Sequence, residues 1–153
     1  MPIINNLSNS LRWQAMQTLL AALRAAPTLA GVRVVHNPRT PAALGDGAHI
    51  VFLKDQSNIM SAKPGQAERR THQFLMVAVA RSDAADCEAD ALHEAASGVL
   101  HSCLNTLVRQ CSVMSLGEVN TQFESASLEI DGALCLSTWE VVYRIPARTY
   151  AGI

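Results

Sequence analysis

The chain has 153 residues, enough for one domain that buries roughly 70% of the surface its unfolded form exposes, so no staple is required. Hydrophobic residues make up 49% and charged residues 16%, which excludes general disorder and suits a chain that hides part of its surface in subunit contacts. The net charge of -1 argues against a dedicated nucleic-acid binder.

The opening Met1-Pro-Ile-Ile-Asn-Asn6 lacks a cationic region followed by an apolar core, so no secretory signal is expected and the chain reads as cytosolic. From Ser10 to Ala26, Trp13, Met16, Leu19, Leu20 and Leu23 recur at helical spacing, Ser8 or Ser10 offers a cap, and Pro27 stops the helix. Val32–Val35 predicts a short strand ended by Asn37-Pro38, and His49–Leu53 predicts another. The turn-forming residues Pro41, Gly45, Asp46 and Gly47 lie between them. Lys54 to Arg70 then reads as a long, mobile polar loop carrying Lys63, Pro64-Gly65 and the cluster Glu68-Arg69-Arg70.

Phe74 to Ala80 is almost wholly apolar, the pattern of a strand buried on both faces. It leads into a helix expected from about Asp83 to Arg109. Ala85, Ala89, Leu92, Ala96, Val99, Leu100, Cys103 and Leu107 form its apolar stripe, and Ser82 or Asp83 can accept its first N–H groups. Asp83, Asp86, Glu88 and Asp90 match the positive end of the helix dipole, and Arg109 the negative end. The C-terminal part reads as Ser112 to Val119, a polar stretch reaching toward Glu124, and a final strand from Ala133 to Ile145. In that strand Trp139, Val141, Tyr143 and Ile145 share one face. Asp131-Gly132 is a turn signal, so Ala126 to Ile130 is expected to pair with the final strand as a hairpin.

These elements predict a single α+β domain over 1–153, with a mixed or antiparallel sheet of four to five strands on two main helices, in the order α-β-β-β-α-β-β. Candidate chemistry is sparse. Asp86, Asp90 and His93 or Glu94 could share a helix face toward a metal, but no third and fourth ligand appears at a recognisable spacing, and a solvated, dipole-matched face explains them more simply. Cys87, Cys103, Cys111 and Cys135 form no C-x-x-C pair and read as free thiols, three of them on apolar faces. No phosphate loop, nucleophile elbow or dinucleotide fingerprint is present, so neither an enzyme nor a cofactor is expected. The helix–three strands–helix order is similar to double-stranded RNA-binding domains, a rival reading. Their second helix opens toward phosphate with cations, whereas this one opens with acids.

Leu11-Arg-Trp13, Val77-Ala-Val-Ala-Arg81, the acidic Ser82-Asp-Ala-Ala-Asp86 leading to Ala91-Leu-His-Glu94, and Trp139-Glu-Val-Val-Tyr-Arg-Ile-Pro146 together resemble tailed-phage tail-terminator proteins of the minor tail protein U type. Related tail-completion and head-tail joining proteins are similar too. The resemblance covers nearly the whole chain. It implies a non-catalytic homo-oligomer, a hexameric ring, that stops growth of the tail tube and contributes to the head–tail junction. The implied partners are the tail-tube protein and a head-completion or connector protein. The implied location is the host cytoplasm during assembly and then the virion tail, with no membrane or specific nucleic-acid role. Lys54, Lys63, Glu68, Arg69 and Arg70 are the expected contacts to a neighbouring subunit or the tube. A head–tail connector, or a small nucleic-acid-binding α+β domain, is the alternative.

Overall fold

Ser10 opens the first helix: its hydroxyl accepts the Trp13 N–H at 3.1 Å, satisfying one of the donors a helix start leaves unpaired. The computed structural model describes residues 10–39, 49–61, 68–125 and 132–145. Helix α1 runs Leu11–Ala25 and buries Ala15, Met16, Leu19, Leu20 and Leu23, the four larger of which contribute about 1.5–3 kcal/mol each. Trp13, placed on that stripe by its spacing, is 39% exposed and packs instead beside the His36 ring. A short turn of 3-10 helix at Pro27–Leu29 ends α1 and leads into β1, Arg33–His36.

Strands β2 (His49–Ser61), β3 (Glu68–Ala80), β4 (Val113–Ser125) and β5 (Ala133–Ile145) join β1 in one five-stranded sheet of order β1-β2-β3-β5-β4. Only the β1–β2 pair is parallel. The domain is therefore α+β with a mixed sheet, as expected. The region read as a polar loop from Lys54 to Arg70 is not one: Lys54–Ser61 continues β2, and Glu68–Arg70 begins β3 opposite Ile145, Arg144 and Tyr143. Residues 62–67, and with them Lys63, lie outside the described residues.

The sheet's inner face carries the main core. Phe74, Met76, Trp139, Val141 and Tyr143 pack with the buried stripe of α1 and of the helices that follow β3. On the outer face Ile50, Val77 and Val79 form a second cluster with Val35, Phe52, Leu75, Leu134 and Leu136 around it. Phe74 to Ala80 is apolar at successive positions because its two faces belong to different clusters.

The long helix divides. Helix α2 spans Ala85–Ser102 and α3 spans Leu104–Cys111, with Cys103 between them. The Ser102 hydroxyl and the Cys103 thiol both turn back to the Val99 carbonyl, at 2.6 and 3.3 Å, in competition with the backbone ladder. The stripe keeps its phase across the break, and Leu100, Cys103, Leu107 and Cys111 stay buried. Ser112 then adopts a left-handed conformation (φ 55), its carbonyl accepts the Arg144 N–H at 3.1 Å, and the chain enters β4.

The partner of β5 is β4, with Ser125 opposite Ala133 and Val113 opposite Tyr143. The hairpin expected from Ala126 to Ile130 falls outside the described residues. Among the described residues, no helix is long and apolar enough to cross a membrane.

Candidate assembly surfaces

The alternation of β3 separates the residues singled out in the sequence. Glu68 and Arg70 lie on the inner face, where one Arg70 nitrogen donates to both Glu68 carboxylate oxygens at 3.1 and 3.2 Å. Arg70 is half-buried, and its Nε is buried without a hydrogen-bond partner. Arg69 faces outward and is exposed, directly across from Arg144 of β5. Lys54 is exposed on the outer face opposite Leu75, six residues along β3 from Arg69 or roughly 20 Å. The four described residues thus form an ion pair on one face and two separated cations on the other. They do not make one contact cluster.

A polar network that the sequence did not reveal lies where β1 ends. Asp55 of β2 points inward. Its Oδ2 accepts hydrogen bonds from Asn37 Nδ2 at 2.8 Å, His36 Nε2 at 3.2 Å and Arg12 Nη1 at 3.3 Å, and its Oδ1 accepts from His72 Nε2 at 2.9 Å. Burial alone raises the carboxyl's pKa. The hydrogen bonds from His72 and Asn37, with the charges of His36 and His72, outweigh it and hold the group well below its ordinary value. The network joins α1, β1, β2 and β3. Its members are spread from Arg12 to His72, and no spacing rule connects them.

This network also determines where the edge of β2 becomes free. Asn37, at φ 49, follows the last residue of β1 and uses its side-chain oxygen to accept the Asp55 N–H at 2.8 Å. Beyond that point no described strand covers β2. Gln56 to Met60 form an open edge with Ile59 55% and Met60 63% exposed. Strand β4 is the opposite edge, and it exposes Met114, Val119 and Phe123. Open edges are usually blunted by lysine, proline or inward-pointing charge, but Gln56 to Met60 and Val113 to Gly117 contain none.

Two other arrangements are built into the helix–sheet contact. Ser137 Oγ accepts the Trp139 indole N–H at 2.7 Å and lies 2.8 Å from His93 Nε2, with Ser137 and His93 at 0% and 5% exposure. His93 is thus not part of a solvated helix face, as its spacing with Asp86 and Asp90 suggested. A cleft of about 280 Å³ between the start of α2 and the far end of β4 is lined by Asp86, Asp90, Phe123 and Cys135 among others. Burial, then the nearby Asp90, Glu118 and Glu94 carboxylates, push the Cys135 thiol up to about 11, so it stays protonated. Cys103, Cys111 and Cys135 are buried free thiols and Cys87 is an exposed one. Among the described residues, no group of three or more His, Cys, Asp or Glu side chains is placed to hold a metal ion. Compared with known proteins, the chain matches no family model and no curated sequence.

Proposed function

We propose that this protein is a structural subunit of a tailed phage or prophage that assembles with copies of itself into a ring at the end of the tail tube, where it terminates tail growth and contributes to the head–tail junction. The reading begins in the sequence resemblance. One observation carries it further: among the described residues the sheet ends in two unlike edges that no further strand covers, both bearing exposed apolar side chains, and head-to-tail association calls for two unlike surfaces. Its role is non-catalytic. Its partners are further copies of the chain, the tail-tube protein and a head-completion or connector protein, first in the host cytoplasm and then in the virion tail. The facing pair Arg69 and Arg144 supplies a cationic outer patch suited to an acidic surface on the tube.

Light scattering on the purified chain, alone and with polymerised tail-tube protein, tests this. A closed oligomer that caps tubes and arrests their extension is expected, and a strict monomer that leaves tube growth unchanged would refute it. A connector on the head side is the second reading, since it needs the same two unlike edges. Such a protein would bind the head-completion protein and leave tube length unaltered.

A further inference from the structure

We infer that copies of this chain join edge to edge, the free half of β2 from one subunit pairing antiparallel with the first half of β4 from the next. This rests on the ring reading above and names the surfaces that would make the ring.

Strand polarity allows it. Strands β2, β3, β5 and β4 alternate in direction across the sheet. A neighbour placed head-to-tail beside β4 with the same faces inward presents its β2 in the opposite direction. The junction therefore continues the antiparallel ladder, whose hydrogen bonds run perpendicular to the strands.

The exposed apolar residues also match in level. One row of the sheet runs Ile59, Thr71, Val142, Ser115, and the next runs Met60, Arg70, Tyr143, Val113. Met114 is the extra residue of the bulge between Val113 and Ser115 and is 53% exposed. Side-by-side addition at constant level thus brings Ile59 and Met60 of one copy to Met114 of the other.

The outlines of the two edges change at the same height. On one side the sheet narrows by a strand where β1 ends and Asn37 caps Asp55. Asp55 lies in the row Phe74, Trp139, Glu118. On the other side β4 has its second bulge between Glu118 and Asn120, which bends the strand at that row. Below the step a neighbour's β4 would face β1, and above it the free edge of β2. Strand β4 stays paired with β5 on both sides of that bulge, so the junction pairs only above the step, Gln56 to Met60 of one copy with Val113 to Gly117 of the next.

Ser57 and Gly117 share the row Ser57, Gln73, Glu140, Gly117, and a Cβ added at Gly117 meets nothing within 4 Å. Within one chain they are three strand spacings apart, roughly 14 Å, too far for a disulfide, so a bond between them links two chains. In the full chain carrying Cys87→Ser, which removes the exposed thiol, the double variant Ser57→Cys/Gly117→Cys should give under mild oxidation a covalent ladder up to the ring size. Mixed single variants should stop at dimers. Ile59→Lys and Met114→Lys should each raise the concentration for half-assembly about tenfold or more, because each places an unpaired charge in the new ladder. Ala91→Lys, exposed on α2, which packs over the central strands β3 and β5, should not. A native-size oligomer without a ladder, or single variants that cross-link to themselves, would overturn the junction while leaving the ring standing. A monomer at every concentration would overturn both.

Discussion

Asn37 takes the place of a strand beside Asp55. Its side-chain oxygen accepts the Asp55 backbone N–H at 2.8 Å while its amide donates to the Asp55 carboxylate at 2.8 Å, all from a left-handed backbone at φ 49. Asparagine tolerates that conformation better than most residues. Asn37→Ala should lose both hydrogen bonds and strain the backbone, at a cost of about 2–3 kcal/mol in urea unfolding. Asn37→Gly loses the same bonds without the strain and should be the milder variant by about 1 kcal/mol. Equal losses would show that the backbone conformation contributes nothing.

The Asp55 network predicts an acid-sensitive fold. In the folded chain this carboxyl titrates below its ordinary value of 3.8, so through that interval the unfolded chain binds a proton that the folded chain does not. Stability from Asp55 is then complete above about pH 5 and is lost as the pH falls through 3.8 and below. Glu88 acts in the same direction, lowered first by its hydrogen bond with His49 and then by that from Ser82. Asp55→Asn should flatten stability against pH below 5 and cost about 2–3 kcal/mol near neutrality, where it leaves the Arg12 and His72 donors poorly matched. Chemical denaturation at a series of pH values reads both. An unchanged acid slope would count against the network as its source.

A buried hydroxyl carries a comparable load on the other side of the core. Ser137 serves both Trp139 and His93, so Ser137→Ala orphans two buried groups at once and should cost about 2–4 kcal/mol. Tryptophan fluorescence should report the change in the native state, since Trp139 is fully buried. A loss under about 1 kcal/mol would mean that water or another group replaces the hydroxyl.

The elements that were legible in the sequence are those with one unbroken period. The stripes of α1 and α2 and the alternation of β5 are readable because each keeps one period along its length. The distal half of β2 was not, because Asp55 and Asn58 point inward yet are used for polar bonds, to the histidines and to the Tyr143 hydroxyl at 3.0 Å. Polar residues on both faces look like a loop. In β4 the bulges at Met114 and Val119 shift the phase, so Val113 and Leu116 both face the core three residues apart. The break at Cys103 left the stripe in phase and so gave no signal. Glu68, Arg69 and Arg70 are a charged cluster in sequence. The pleat of β3 then sent Arg69 and Arg70 to opposite faces, which only register could reveal.

Gly132 is held by a close approach. A Cβ there would collide with the Ala80 carbonyl oxygen and crowd the Arg81 backbone, where β3 ends beside the start of β5. Backbone cannot swing aside as a side chain can. Gly132→Ala should therefore destabilise by about 1–3 kcal/mol, whereas Gly98→Ala on α2, where an added Cβ meets nothing, should stabilise by about 0.5–1 kcal/mol. Thermal unfolding of the two variants should move in opposite directions. Equal shifts would remove the steric argument.

Charge reversal at the two neighbouring arginines should separate fold from recognition. Arg69 is exposed and faces Arg144 across the strands, a like-charge pair that weakens the sheet. Arg69→Glu turns it into an opposite-charge pair and should leave the monomer as stable or more so, by about 0.2–1 kcal/mol. If this patch meets an acidic tube surface, the same variant should bind tubes more weakly, with the loss diminishing in high salt. Arg70→Glu acts on the inner face, where it sets two carboxylates against each other beside the core and should cost about 1–3 kcal/mol of monomer stability. Reduced tube capture by Arg70→Glu would therefore report damaged folding as much as a lost contact, while Arg69→Glu isolates the surface. A stable Arg69→Glu protein that still caps tubes at wild-type affinity in low salt would remove this arginine pair from the docking surface.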